Sequence, residues 1–113
     1  MNNMPAKLDQ LLQFLKLTPN EPFILFALAK EYENLAQRET ALEYYTQLVK
    51  NHPNYVGTYY HLGKLHEQQQ DFRKAFYTYQ KGMDVARNQG DQHALSELAG
   101  AKLNLGDAEE FEE

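Results

Sequence analysis

Apolar residues recur at helical spacing along most of this chain. In "PFILFALAKEYENLA", Leu25, Leu28, Ala29, Tyr32 and Leu35 fall on one stripe. After a polar break at Gln37 and Arg38, Ala41, Leu42, Tyr45, Leu48 and Val49 form a second stripe. "NHPN" closes that segment, because Pro53 disfavours helical geometry in His52 before it. "AKLDQLLQFLKLTPN" places Leu8, Leu11, Leu12 and Leu15 on one face and stops at Thr18 and Pro19. "DQHALSELAGAKLNLG" begins at Asp91, a good N-cap, and ends at Gly106. Nothing alternates in the manner of a strand. The pattern predicts an all-α chain built of helices about 12–15 residues long.

The stripes repeat. A shift of 34 residues lays 22–55 over 56–89 and matches Leu28 with Leu62, Lys30 with Lys64, Glu33 with Glu67, Ala41 with Ala75, Tyr45 with Tyr79 and Asn54 with Asn88. Ala29 meets Gly63 and Phe26 meets Tyr60, so small faces small and aromatic faces aromatic. Pro19 also lies 34 residues before Pro53, and Leu95, Leu98-Ala99 and Lys102 match a repeat's first helix two residues late.

These positions resemble the tetratricopeptide repeat (TPR) family. One repeat offers Leu25, Leu28-Ala29, Tyr32, Ala41, Tyr45 and Pro53; the next offers Tyr59, Leu62-Gly63, His66, Ala75 and Tyr79, with Arg87 where proline is expected. That missing proline predicts a longer last helix in the second repeat, running to Asn88. The resemblance implies a TPR-like α-solenoid of antiparallel helix pairs with about six helices: half repeat, two full repeats, half repeat. The expected domain is 1–106, with full repeats at 22–55 and 56–89, partial repeats at 6–21 and 91–105, and an acidic tail at 107–113.

Charge sharpens the outline. The chain has 113 residues and a net charge of −5. The tail "DAEEFEE" holds Asp107, Glu109, Glu110, Glu112 and Glu113, leaving 11 acids to balance 11 Lys and Arg in residues 1–106. No basic stripe or basic amphipathic helix points to nucleic acid or a membrane surface. With no Cys, disulfides and thiolate chemistry are excluded. "MNNMPAKLDQ" shows no secretory signal, and no apolar run approaches a membrane span, so a soluble cytoplasmic protein is expected.

Candidate chemistry concentrates in "NYVGTYYHLGKLHE". His61 and His66 stand five apart, about 140° around a helix, whereas two helical metal ligands want three or four. "HEQQQ" begins a metalloprotease motif and lacks its second histidine. His66 occupies the family's tyrosine position and is expected to pack half-buried. Ser96 has no motif of catalytic partners, and no phosphate-binding glycine loop is present; lone glycines in "KGMD" and "NQGD" are uninformative. No catalytic, metal or cofactor site is expected, and the chain is not expected to be an enzyme.

What remains is a binding face. The resemblance implies a groove lined by the first helix of each repeat. There Phe26, Lys30 and Glu33 stand at i, i+4 and i+7, and Tyr60, Lys64 and Glu67 repeat that order. The expectation is three parallel ladders (aromatic, Lys, Glu) holding a protein or peptide partner, with His61 and His93 at the margins. A plainer reading is a solvated face whose Lys–Glu pairs contribute about 0.2–0.5 kcal/mol each, but it leaves two large aromatics on a polar face unexplained. The family's clamp for a terminal carboxylate does not match: Lys30 and His61 replace asparagines, and His93 and Glu97 replace Lys and Arg. The alternative function is a self-assembling structural unit, including a homodimer, joined through Leu8, Leu12 and Leu15 with Leu95, Leu98 and Leu103. The tail could dock beside Lys30, Lys64, Phe26 and Tyr60; the favoured expectation is a solubilising, disordered tail.

Overall fold

The computed structural model describes residues 5–106 and 110–111. The N-terminal "MNNM" and most of the acidic tail, 107–109 and 112–113, lie outside the described residues. Among the described residues, six helices form two compact units, Met1–His52 and Pro53–Glu113. The first unit holds α1 (Ala6–Leu17), α2 (Pro22–Asn34) and α3 (Arg38–Asn51); the second holds α4 (Gly57–Gln68), α5 (Phe72–Gln89) and α6 (Gln92–Leu105).

Local sequence sets the helix ends. Pro22 opens α2 where its missing N–H costs nothing. α3 stops at Asn51, with His52 at the C-cap ahead of Pro53. Asp71 caps α5, accepting from the Lys74 N–H at 3.2 Å, and Asp91 caps α6, accepting from the Ala94 N–H at 3.0 Å. Lacking a closing proline, α5 runs to Gln89, one residue beyond the expected end, and stops at Gly90. The φ of +70° at Gly90 is the left-handed conformation that ends many helices. The two turns between paired helices also need that conformation, but there it falls on Ala36 (φ 59°) and Gln70 (φ 62°).

In the first unit, Leu25, Leu28 and Ala29 of α2 meet Ala41, Tyr45 and Leu48 of α3 in a fully buried seam. Stacked Tyr32 and Tyr44 rings, 5.7 Å apart, extend it. α1 fastens to α2 through buried Leu8 and a 3.7 Å ion pair from Lys7 to Glu31. In the second unit, Tyr59, Leu62 and Leu65 of α4 pack with Ala75, Tyr79 and Ala86 of α5, and α6 adds Leu98 and Ala101.

Close approach depends on two glycines. A Cβ at Gly63 would overlap the Tyr79 ring. One at Gly82 would come within 2.5 Å of Tyr59 Cβ and 3.0 Å of Leu98 Cδ1. The lone glycine of "KGMD" is therefore informative: it is the point where α5 meets both neighbours.

Candidate partner-binding face

Each unit carries its own candidate face, built at the same four repeat positions. In the first, Phe26, Lys30 and Glu33 rise along α2, and Tyr45 of α3 meets them. The Phe26 and Tyr45 rings lie edge to face at 6.1 Å, and Lys30 Nζ sits 6.0 Å from the Phe26 centroid. Tyr45 donates its hydroxyl proton to Glu33 Oε2 at 2.6 Å. In the second unit, Tyr60, Lys64 and Glu67 rise along α4 to meet Tyr79 of α5. The Tyr60 and Tyr79 centroids are 6.4 Å apart, Lys64 Nζ lies 5.5 Å from the Tyr60 centroid, and the Tyr79 hydroxyl donates to Glu67.

This geometry changes what the residues do. Phe26 and Tyr60 are half-buried rather than freely displayed, because each leans on a fully buried tyrosine of the paired helix. The glutamates hold those tyrosine hydroxyls, so each carboxylate is fixed in place. Burial first, and the bonded carboxylate second, push the Tyr45 and Tyr79 hydroxyls far above the ordinary phenol range. Both therefore remain donors at physiological pH. The lysines complete the set: Lys64 pairs with Glu67 at 3.7 Å, while Lys30 projects into solvent. The tyrosines were legible as core positions; nothing in a one-dimensional pattern marked them as partners of Glu33 and Glu67.

The histidines do not converge. His61 is half-buried, edge-on to Tyr60 at 5.7 Å. His93 stands exposed on α6 and faces Glu97 at 3.4 Å. His66 is half-buried, and its Nδ1 is buried without a hydrogen-bond partner among the described residues. Burial lowers the His66 imidazole below its ordinary value, with Asp71 opposing and Lys74 assisting. Among the described residues, no group of three His, Asp or Glu could hold a metal ion. No helix among them is long and apolar enough to cross a membrane.

Both expectations for the tail need correction in its described part. Phe111 is buried on α5, its ring stacked 4.7 Å from Phe76. Arg73 and Tyr77 both donate to the Phe111 carbonyl, Tyr77 at 3.3 Å. Lys102 of α6 lies 4.8 Å from the Phe76 centroid, adding a cation to the same seat. Phe111 thus packs on the second helix of its repeat rather than beside Tyr60 and Lys64. An aromatic amid acids was the sequence signal for an anchored tail, but its seat depended on tertiary placement.

The tetratricopeptide repeat models match residues 24–55 and 56–89. A crystal structure of a tetratricopeptide repeat domain protein from Salinibacter ruber is 45% identical, with 76% of this chain and 96% of that chain covered and a TM-score of 0.74. A solution structure of a tetratricopeptide repeat domain protein from the same organism is 43% identical over 84% of this chain and 96% of that one, TM-score 0.76. A Bordetella parapertussis protein, 27% identical, covers 90% of this chain and 89% of its own, TM-score 0.74. No curated protein matches the chain. Such repeats generally mediate protein–protein interaction and are typically non-catalytic. Two consecutive repeat matches, a shared all-α fold and identity above two-fifths to a domain covered almost end to end place this chain in the tetratricopeptide repeat family.

Proposed function

We propose that this protein is a non-catalytic cytoplasmic interaction module that holds a peptide or partner segment through the quartet of each unit, the positions that line the concave groove in the family's fold. The observation that carries the reading is the recurrence of one chemical unit: a lysine over an aromatic ring beside a carboxylate fixed by a buried tyrosine. Held charges lose little freedom on binding, so a partner meets a preorganised surface. Phe26, Lys30 and Glu33 supply one copy; Tyr60, Lys64 and Glu67 supply the other; His61 and His93 stand at the margins. Acidic groups on the partner would meet the lysines, and apolar groups the rings.

The test begins with affinity capture from the source organism, followed by titration of the captured segment. Lys30→Glu with Lys64→Glu should weaken binding at least about tenfold, a loss of about 1.4 kcal/mol or more, with helical circular dichroism unchanged. Equal affinity in the double variant would overturn the reading. In the alternative, self-assembly through the terminal helices, Leu8 and Leu98 take no part, since they are buried inside their own units, which leaves Leu12, Leu15, Leu95 and Leu103 of the expected set.

A further inference from the structure

Helices α1 and α6 each leave bare a face that is covered elsewhere in the chain. A forward shift of 34 residues lays Leu11 on Tyr45 and Phe14 on Leu48. On α3 those two residues are fully buried. On α1, Leu11 is half-exposed and Phe14 is 52% exposed. The side of α1 that carries Leu8 is already committed to α2, with the Lys7–Glu31 pair beside it. So α1 is a second-type helix with no first-type helix before it among the described residues.

The converse holds at α6. A backward shift of 36 residues lays Leu95 on Tyr59, Ala99 on Gly63 and Leu103 on Glu67. In α4 these positions face α5: Tyr59 against Gly82, Gly63 against Tyr79, and Glu67 bonded to the Tyr79 hydroxyl. In α6, Leu95 and Ala99 are half-exposed and Leu103 is 75% exposed. Phe111, seated on Phe76 of α5, leaves Leu103 open.

The substitutions at the two bare faces match each other. Inside each unit the pair is Glu with Tyr: Glu33 with Tyr45, Glu67 with Tyr79. At the bare faces both members become apolar together, Leu103 in the glutamate position and Leu11 in the tyrosine position. A carboxylate on α6 would have lost its donor against Leu11; a leucine there gains a contact. The larger Phe14 stands where Gly82 does, and it would face Leu95, which is smaller than Tyr59. Set in the repeat register, Leu103 would meet Leu11 and Phe14 would meet Leu95, apolar against apolar on faces of opposite type, which points to a second copy of this chain as the occupant.

We propose that α1 of one copy docks on α6 of another, completing a helix pair between chains, head to tail. The contact is heterologous, so each copy keeps one free end of each type and association is open-ended. The proposal does not rest on the groove reading, and its residues lie outside both quartets.

Sedimentation velocity on the full chain, from micromolar to millimolar concentration, tests it. The wild-type weight-average mass should rise continuously with concentration. Phe14→Glu and Leu103→Glu each remove one end, and because both side chains are exposed the helical spectrum should not change. Each variant alone should weaken association about tenfold or more and sediment as a monomer where the wild type associates. Mixed together, the two variants should form a dimer and nothing larger, because one intact junction survives between them. A wild type that stays monomeric throughout overturns the proposal. So do single variants that associate like the wild type, a wild type that stops at a dimer, or a mixture that fails to dimerise.

Discussion

Two single residues carry costs that the fold imposes on them. Ala36 and Gln70 hold left-handed backbone conformations at the turns between paired helices. A side chain there crowds the following carbonyl by roughly 1–2 kcal/mol, and glycine avoids the clash while giving back part of the gain as chain entropy. Ala36→Gly and Gln70→Gly should therefore each stabilise the protein by about 0.5–1 kcal/mol, read as a raised urea midpoint at unchanged slope. His66 carries a cost of another kind. Its imidazole is held below the ordinary value chiefly by burial, so the folded state binds its proton less readily than the unfolded chain does. Stability from this residue is complete above the unfolded value of 6.5 and is lost as pH falls below it towards the folded value. In His66→Gln the fall in stability on acidification below that value should be shallower than in the wild type, measured by urea unfolding across pH. An identical slope would show that burial of the His66 imidazole is not the source of the acid sensitivity.

At the scale of elements, helix spacing is what the small residues control. Ala29 of α2 and Gly63 of α4 occupy the same place in their repeats, and both are buried. The pairing of small with small was legible in the 34-residue shift. What was not legible is that α4 and α5 use all of the freedom glycine provides: a Cβ at Gly63 overlaps a Tyr79 ring that is itself buried and bonded to Glu67. Gly63→Ala should destabilise the second unit by about 1–3 kcal/mol by overpacking, despite alanine's better helix propensity. Gly100 is the control, since a Cβ there meets nothing within 4 Å. Gly100→Ala should stabilise by about 0.5–1 kcal/mol from propensity alone. Opposite shifts in midpoint from the same chemical change would separate packing from propensity within one unit. The helix ends tell a similar story. Pro53, Asp91 and Gly106 were readable because capping is local, whereas the value of Gly82 was not, because Tyr59 and Leu98 reach it from two other helices.

For the molecule as a whole, the half, full, full, half order of helices was open to reading because repeat architecture writes itself into periodicity. The fate of the acidic tail was not. Charge argued for a seat beside lysines, and end segments as a rule argued for no seat at all, yet Phe111 rests on Phe76, 35 positions earlier, which no spacing rule connects to it. The contact has the ordinary elements of a core: a stacked ring, two donors to one carbonyl, and a lysine over the lower ring. Removing the ring by Phe111→Ala should cost about 1–3 kcal/mol, the scale for one phenylalanine taken from water, and should re-expose Phe76 at the start of α5. Amide hydrogen exchange would then quicken at Arg73–Tyr77, and NMR shifts would move at Phe76 and Lys102. Shifts at Lys30 and Phe26 of the first unit should stay where they are. If those signals move while Phe76 stays still, the tail's aromatic belongs to the quartet face after all, and its acids would compete there with any partner.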